Sequence, residues 1–193
     1  QTLVAMLDSP PIHGTVSLNA DGSFNYLPAK DFHGTDSFRY YLHDGITRSE
    51  TATVAIEVTP VNDPPLAQAQ ALAVDEDGRI EILLAANDVD NASLEFSAGS
   101  PTHGTLSGTP PHLVYHPAPD FHGTDRFSFT VDDGTARSAP ANVTIEVRPV
   151  NDPPSANGVD LVVDEDESLP ITLISTDPDG TKTTFAATQP SHG

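Results

Sequence analysis

The side chains able to do chemistry in this sequence are mostly carboxylates, and they come in short groups. Asp75-Glu76-Asp77 is matched by Asp164-Glu165-Asp166, Asp88-x-Asp90 by Asp177-x-Asp179, and Asn62-Asp63 by Asn151-Asp152, with Asp31, Asp120 and the pair Asp132-Asp133 besides. A hard cation such as calcium takes six to eight oxygens, and loops supply them from closely spaced carboxylates, Asn side chains and backbone carbonyls. Each group taken singly also reads as a turn, because Asp and Asn bond their own backbone and tolerate left-handed angles.

Other chemistries find less support. Paired carboxylates can hydrolyse a glycosidic bond, but here the same acids recur along the chain, whereas a catalytic site is normally built once. The Gly-x-Ser-x-Gly, His-Glu-x-x-His, phosphate-loop and dinucleotide signatures are absent, so the expectation is a protein that is not an enzyme. His13, His33, His103, His122 and His192 each precede a glycine, which reads as a tight turn with the histidine left-handed. His112 and His116 have a chelating spacing only on a helix; on a strand they lie ~13 Å apart. Asn91-Ala-Ser and Asn142-Val-Thr satisfy the glycosylation sequon, a weak signal.

Composition limits the partners. The 193 residues hold 28 acidic and 8 basic side chains, 18 prolines, 13 glycines, no cysteine and no tryptophan. Such an acidic chain repels nucleic acid and anionic membrane, and its natural counter-charge is a cation. No apolar run approaches the ~18 residues of a membrane span, and no signal peptide is seen, so an extracellular address is expected to lie outside this sequence. Without disulfides, a secreted module must rely on its core and on metal.

Internal repetition organises the chain. Pro-Val-Asn-Asp-Pro-Pro occurs at 60–65 and 149–154, and Asp-Phe-His-Gly-Thr-Asp at 31–36 and 120–125, both 89 residues apart. Pro-x-His-Gly appears from Pro11, Pro101 and Pro190. The expected division is the back part of one repeat over 1–60, a complete repeat with its preceding linker over 61–150, and the front part of a third over 151–193. The first part then lacks its front strands and exposes Phe38, Tyr40 and Leu42. Leu161–Val163 and Leu169–Leu173 could supply such strands between chains.

Within the complete repeat, apolar residues alternate with period two, as in half-buried strands. Phe127, Phe129 and Val131 form one such face, Val143, Ile145 and Val147 another, and Phe38, Tyr40, Leu42 and Val54, Ile56, Val58 are their earlier counterparts. The expected fold class is all-β, tandem seven-stranded Greek-key sandwiches without significant helix. The Pro-Pro pairs end each last strand and make short, stiff junctions.

A last strand running into Val-Asn-Asp-Pro-Pro, the early Glu-Asp motif, the Asp-x-Asp turns, Val-x-Asp-Gly ending at Gly134 and Phe-x-Gly-Thr-Asp-x-Phe together resemble the cadherin-like repeats of large bacterial surface and RTX-type adhesins. The resemblance covers the whole chain. It implies calcium at the junctions between repeats, held at the first by Asp31, Asn62, Asp63, Asp88, Asp90 and Asp132 or Asp133. At the second it implies Glu76, Asp120, Asn151, Asp152, Asp177 and Asp179. Animal cadherin linkers read Asp-x-Asn-Asp-Asn. Pro60 and Pro149 replace the first Asp and Pro64 and Pro153 the last Asn, which implies one or two ions per junction instead of three. The function implied is a calcium-stiffened stalk or adhesive segment of a bacterial cell-surface protein. Its partners would be other repeats, a surface protein or a polysaccharide. A polysaccharide-binding accessory module and a metal-independent spacer are the alternatives. Tyr41 is the one aromatic expected to face outward from a strand, which leans away from sugar.

Overall fold

The computed structural model describes residues 2–180 and 183–188, so Pro190 and His192 lie outside the described residues. Two compact units emerge, Gln1–Asp63 with Val89–Asn91, and Pro64–Asp88 with Ala92–Gly193. Among the described residues there is no helix, in keeping with the all-β expectation.

The first unit contains β1 (Val4–Ser9), β2 (Gly14–Leu18), β3 (Phe24–Pro28), β4 (Gly34–His43) and β5 (Ala52–Val58). β1, β4 and β5 form one antiparallel sheet in that order, while β2 and β3 pair separately. The second unit contains β6 (Leu66–Ala67), β7 (Gln70–Asp75), β8 (Ile80–Leu83), β9 (Ala86–Asn87), β10 (Glu95–Ala98), β11 (Gly104–Thr109), β12 (His112–Pro117), β13 (Gly123–Asp132), β14 (Ala141–Arg148), β15 (Ser155–Ala156) and β16 (Ser175–Thr176). Its main sheet has the order β10-β13-β14-β7, with β7 parallel to β14, and the facing sheet the order β11-β12-β8.

Strict alternation makes this a sandwich. Along β14 every second residue (Ala141, Val143, Ile145, Val147) is buried and the others face water. Phe127, Phe129 and Val131 of β13 point the same way and meet Leu113 and Tyr115 of β12. The early strands complete the core with Val74, Ile82 and Leu84, all below 10% exposed. Burial of this apolar set, at roughly 25 cal/mol per Å², is what holds a module that has no disulfide.

The repeated motif residues tie a knot between the sheets. Asp125 is 1% exposed, and its carboxylate accepts hydrogen bonds from Thr102 N (3.0 Å), His103 N (3.0 Å), Arg126 N (2.8 Å) and the Tyr115 hydroxyl (2.7 Å). His103 stacks on Phe121 at 4.3 Å. A Cβ on Gly104 would fall 2.4 Å from the Tyr115 ring, so the glycine lets the ring pass close to the backbone. In the first unit Asp36, Tyr26, His13, Phe32 and Gly14 repeat every contact. This corrects the reading of the His-Gly pairs: no described histidine has positive φ. In the two Asp-Phe-His-Gly motifs the residues with positive φ are instead Asp31 (φ 60), Asp120 (φ 57) and the glycines Gly34 and Gly123.

Exposure in the first unit also departs from expectation. Phe38 is 1% exposed, and Tyr40 and Leu42 are half-buried, because the β2–β3 pair folds over them and sets Phe24 edge-on to Phe38 at 5.1 Å. Tyr41 is likewise half-buried, with the Arg48 guanidinium 5.5 Å from its ring centre. Residues 157–174 contain no strand, and Leu161, Val162, Val163, Leu169, Ile171 and Leu173 are exposed.

Candidate metal centre

In the second unit, three carboxylates converge from three separated segments. Ligand oxygens of Glu76, Asp152 and Asp179 all lie within 4.8 Å of one another. Glu76 follows β7 and is 3% exposed. There its Oε1 accepts the Val150 N–H at 2.6 Å, while Oε2 lies 3.7 Å from His122 Nδ1. Asp152 comes from the Asn-Asp-Pro-Pro run, which the prolines exclude from any helix and hold extended. Asp179 comes from the Asp-x-Asp turn after β16, where Asp177 Oδ1 accepts the Asp179 N–H at 3.0 Å. Asp179 Oδ2 in turn accepts the Asp152 N–H at 2.6 Å, and Asn151 Nδ2 donates to the Asp152 carbonyl at 2.9 Å.

The electrostatics of this cluster are those of crowded like charges. Partial burial, followed by the fields of Asp77, Asp179, Asp120 and Glu76, pushes the Asp152 carboxyl above the usual aspartate range. Like charges are held together by a fold that gains nothing from their repulsion, and a divalent cation relieves it. The donor set, all hard oxygens with one nearly buried acid, fits calcium or another oxygen-seeking ion. Asp120 adds a left-handed, exposed carboxylate to the same neighbourhood.

The first unit builds a related cluster. The Asp63 N–H donates to Asp90 Oδ2 at 2.7 Å, Asn62 Nδ2 to the Asp63 carbonyl at 3.2 Å, and Asn91 Nδ2 to Asn62 Oδ1 at 3.1 Å. Asp31, Asp63 and Asp90 line one cleft. Here a cation is already supplied by the protein: Lys30 Nζ lies 2.7 Å from Asp31 Oδ2. Its hydrogen bond to Asp31, then the charges of Asp31 and Asp63, raise the lysine above its ordinary range.

The remaining sequence candidates take other places. Asp88 follows β9 in the second unit and is half-buried. Asp132 and Asp133 are engaged in the turn after β13. Asp133 Oδ1 accepts the Thr135 and Ala136 N–H groups at 2.6 Å each, and Asp132 accepts the Gly134 N–H and pairs with Arg137 at 3.3 Å. Lys30 and His122 were missed by sequence reasoning; the signal available was their adjacency to Asp31 and Asp120 through the Asp-Phe-His-Gly motif.

Comparison with known proteins agrees with this architecture. Residues 1–60 match the bacterial cadherin-like domain and residues 62–146 the bacterial Ig domain. Among solved structures, the chain is similar to repeats EC21–23 of human CDH23 at 15% identity, with TM-score 0.55 over 92% of this chain and 69% of that one. It is also similar to the protocadherin gammaB4 extracellular domain at 12% identity and TM-score 0.51, over 92% of this chain and 34% of that one. No curated protein matches. The residues, the sheet topology and these likenesses lead to one statement of family: the chain is an array of tandem cadherin-like, immunoglobulin-like β-sandwich repeats.

Proposed function

We propose that the chain is a calcium-binding stalk or adhesive segment of an extracellular, cell-surface protein, and that it performs no catalysis. Its repeats divide at 1–60, 61–150 and 151–193. The observation that carries the reading is the recurrence, 89 residues apart, of one linker clamp: Asp63 N–H on Asp90, and Asp152 N–H on Asp179. Turn chemistry alone does not require a linker to close twice on a distant Asp-x-Asp loop. A stalk whose linkers are acid-lined gains stiffness from a cation, because the crowded carboxylates repel until one bridges them.

Glu76, Asp152 and Asp179 would hold the ion at the second linker, with Asp120, Asn151 and Asp177 around it. Asp31, Asn62, Asp63 and Asp90 would serve the first. The bound ion would supply charge neutralisation and no reaction. Extracellular location is proposed with this reading; among the described residues no helix is long and apolar enough to cross a membrane. A thermal melt during calcium titration tests the function. The midpoint should rise with calcium and fall with chelator, whereas identical melts in chelator and ~10 mM calcium would remove the metal from the account.

A further inference from the structure

The two sequons, Asn91-Ala-Ser and Asn142-Val-Thr, fold into unlike surroundings. Asn91 is half-buried, and its Nδ2 donates to Asn62 Oδ1 at 3.1 Å beside the clamp of the first linker. Asn142 stands near the start of β14 between buried Ala141 and Val143, so the pleat turns its side chain and that of Thr144 out to water on one face. Among the described residues no hydrogen bond to the Asn142 amide is found. Its neighbours on that face are short. Asn142 lies opposite Ser128, and Thr144 between Arg126 of β13 and Ala71 of β7, all of them exposed. A sugar on Asn142 Nδ2 therefore extends into solvent without displacing a packed group.

Given the extracellular location proposed above, we propose that Asn142 accepts an N-linked glycan, and that the sugar is added before the second unit folds. The co-reactant is a sugar activated as a lipid-linked pyrophosphate, a donor within reach of a chain crossing a membrane. The bond that forms joins Asn142 Nδ2 to the anomeric carbon, and the bond that breaks runs from that carbon to the pyrophosphate oxygen. The pyrophosphate leaves with the electron pair, and one amide proton passes to a base of the transferase. Thr144 supplies the hydroxyl by which such an enzyme reads the sequon.

The timing follows from the strand. β14 is paired with β13 along the whole sequon and with β7 from Val143 onward, so the folded backbone is closed on both sides to an enzyme that must grip three consecutive residues. In the unfolded chain the same residues are open. After folding, the glycan stands on the outer face of the sheet and touches neither the core nor an existing hydrogen bond of that side chain. At Asn91 the same linkage would consume a proton of the amide that holds Asn62, and the first linker would lose by it.

The full chain, exported behind a cleavable leader from a host with a sequon-reading transferase, is weighed intact. The expected result is a glycan that is lost in Asn142→Gln and in Thr144→Ala and kept in Thr144→Ser. The melt of the second unit should be the same with the glycan and in Asn142→Gln, where it is absent. The folded, sugar-free chain, given the purified transferase and its lipid-linked sugar, should gain no mass at Asn142 over a time that fully converts an Asn-Val-Thr peptide. An exported chain with Asn142 bare, a second unit destabilised by the glycan, or a folded chain modified as fast as the peptide would overturn the proposal. The calcium reading is tested apart from these outcomes, by melts of the sugar-free chain in calcium and in chelator.

Discussion

The first and second units carry the same alternating strand and the same buried knot, yet bury their cores to different depths. β14 reads buried at every second position, whereas its counterpart β5 is only half-buried at Val54, Ile56 and Val58. The sequence of the strand does not cause this. What differs is cover: Val74 of β7, Ile82 of β8 and Leu84 just after it close the second unit, and no strand among the described residues stands over β5 in the same way. The knot survives in both because all its members come from four adjacent segments, and Asp36 is 5% exposed with the same partners as Asp125. Local motif geometry is therefore independent of that cover, while core depth follows it.

The largest test of that contrast is truncation of equivalent residues. Ile145→Ala, at a fully buried site, should destabilise the second unit by about 3 kcal/mol, whereas Ile56→Ala should cost the first about 1 kcal/mol. Amide exchange, which reports each unit separately, should give the second the greater protection along β13–β14. Equal losses would mean that cover over the strand does not set the depth of its core.

The knot should respond next. Burial pushes the Asp125 carboxyl upward, but its hydrogen bonds with Tyr115, Arg126, Thr102 and His103 together hold it below the ordinary aspartate range. A depressed folded-state value contributes stability above the ordinary range and loses it as pH falls through the folded value. Asp125→Asn should therefore cost about 2 kcal/mol near neutral pH, since an amide nitrogen would then face donors, and should flatten the acid limb of the stability profile. An acid limb identical to the parent's would show that the charge is not what the knot uses.

Much of this was legible in the sequence. Period-two alternation located the long strands because the side-chain period of a strand is set by the backbone, and the 89-residue spacing gave the repeats. The Asn-Asp linkers and Asp-x-Asp loops also stood out, and the structure brings Asp63 to Asp90 and Asp152 to Asp179. What could not be read was the use of individual residues. His103 looked like a turn former and is a stacking partner of Phe121. Asp132 and Asp133 looked like ligands, and their oxygens accept the N–H groups of their own turn. A motif shows which residue types recur, but only packing shows which neighbour claims their hydrogen bonds.

Calcium comes next in size. At tenfold its dissociation constant an ion contributes roughly 1.4 kcal/mol per site. Asp179→Ala should remove most of the calcium-dependent rise in the melt of the second unit. The comparison to make is the difference between calcium and chelator within each variant, because Asp179 also accepts the Asp152 N–H and its loss lowers both curves. A calcium increment unchanged in this variant would place the ion elsewhere.

The smallest effect separates the two clusters. The first holds Lys30 against Asp31, and in the second the corresponding position is Pro119. A resident ammonium and an incoming cation compete for the same carboxylates. The first cluster should thus bind calcium more weakly, and Lys30→Pro should narrow the gap. The gain is bounded, because Lys30 is 90% exposed and its field is screened by water and salt. About a two- to threefold tightening is expected, read from amide shifts of Asp31, Asp63 and Asp90 during a calcium titration, with Asp152 and Asp179 as the internal reference. If the first set titrates no earlier in the variant, Lys30 does not compete with the ion for that cluster.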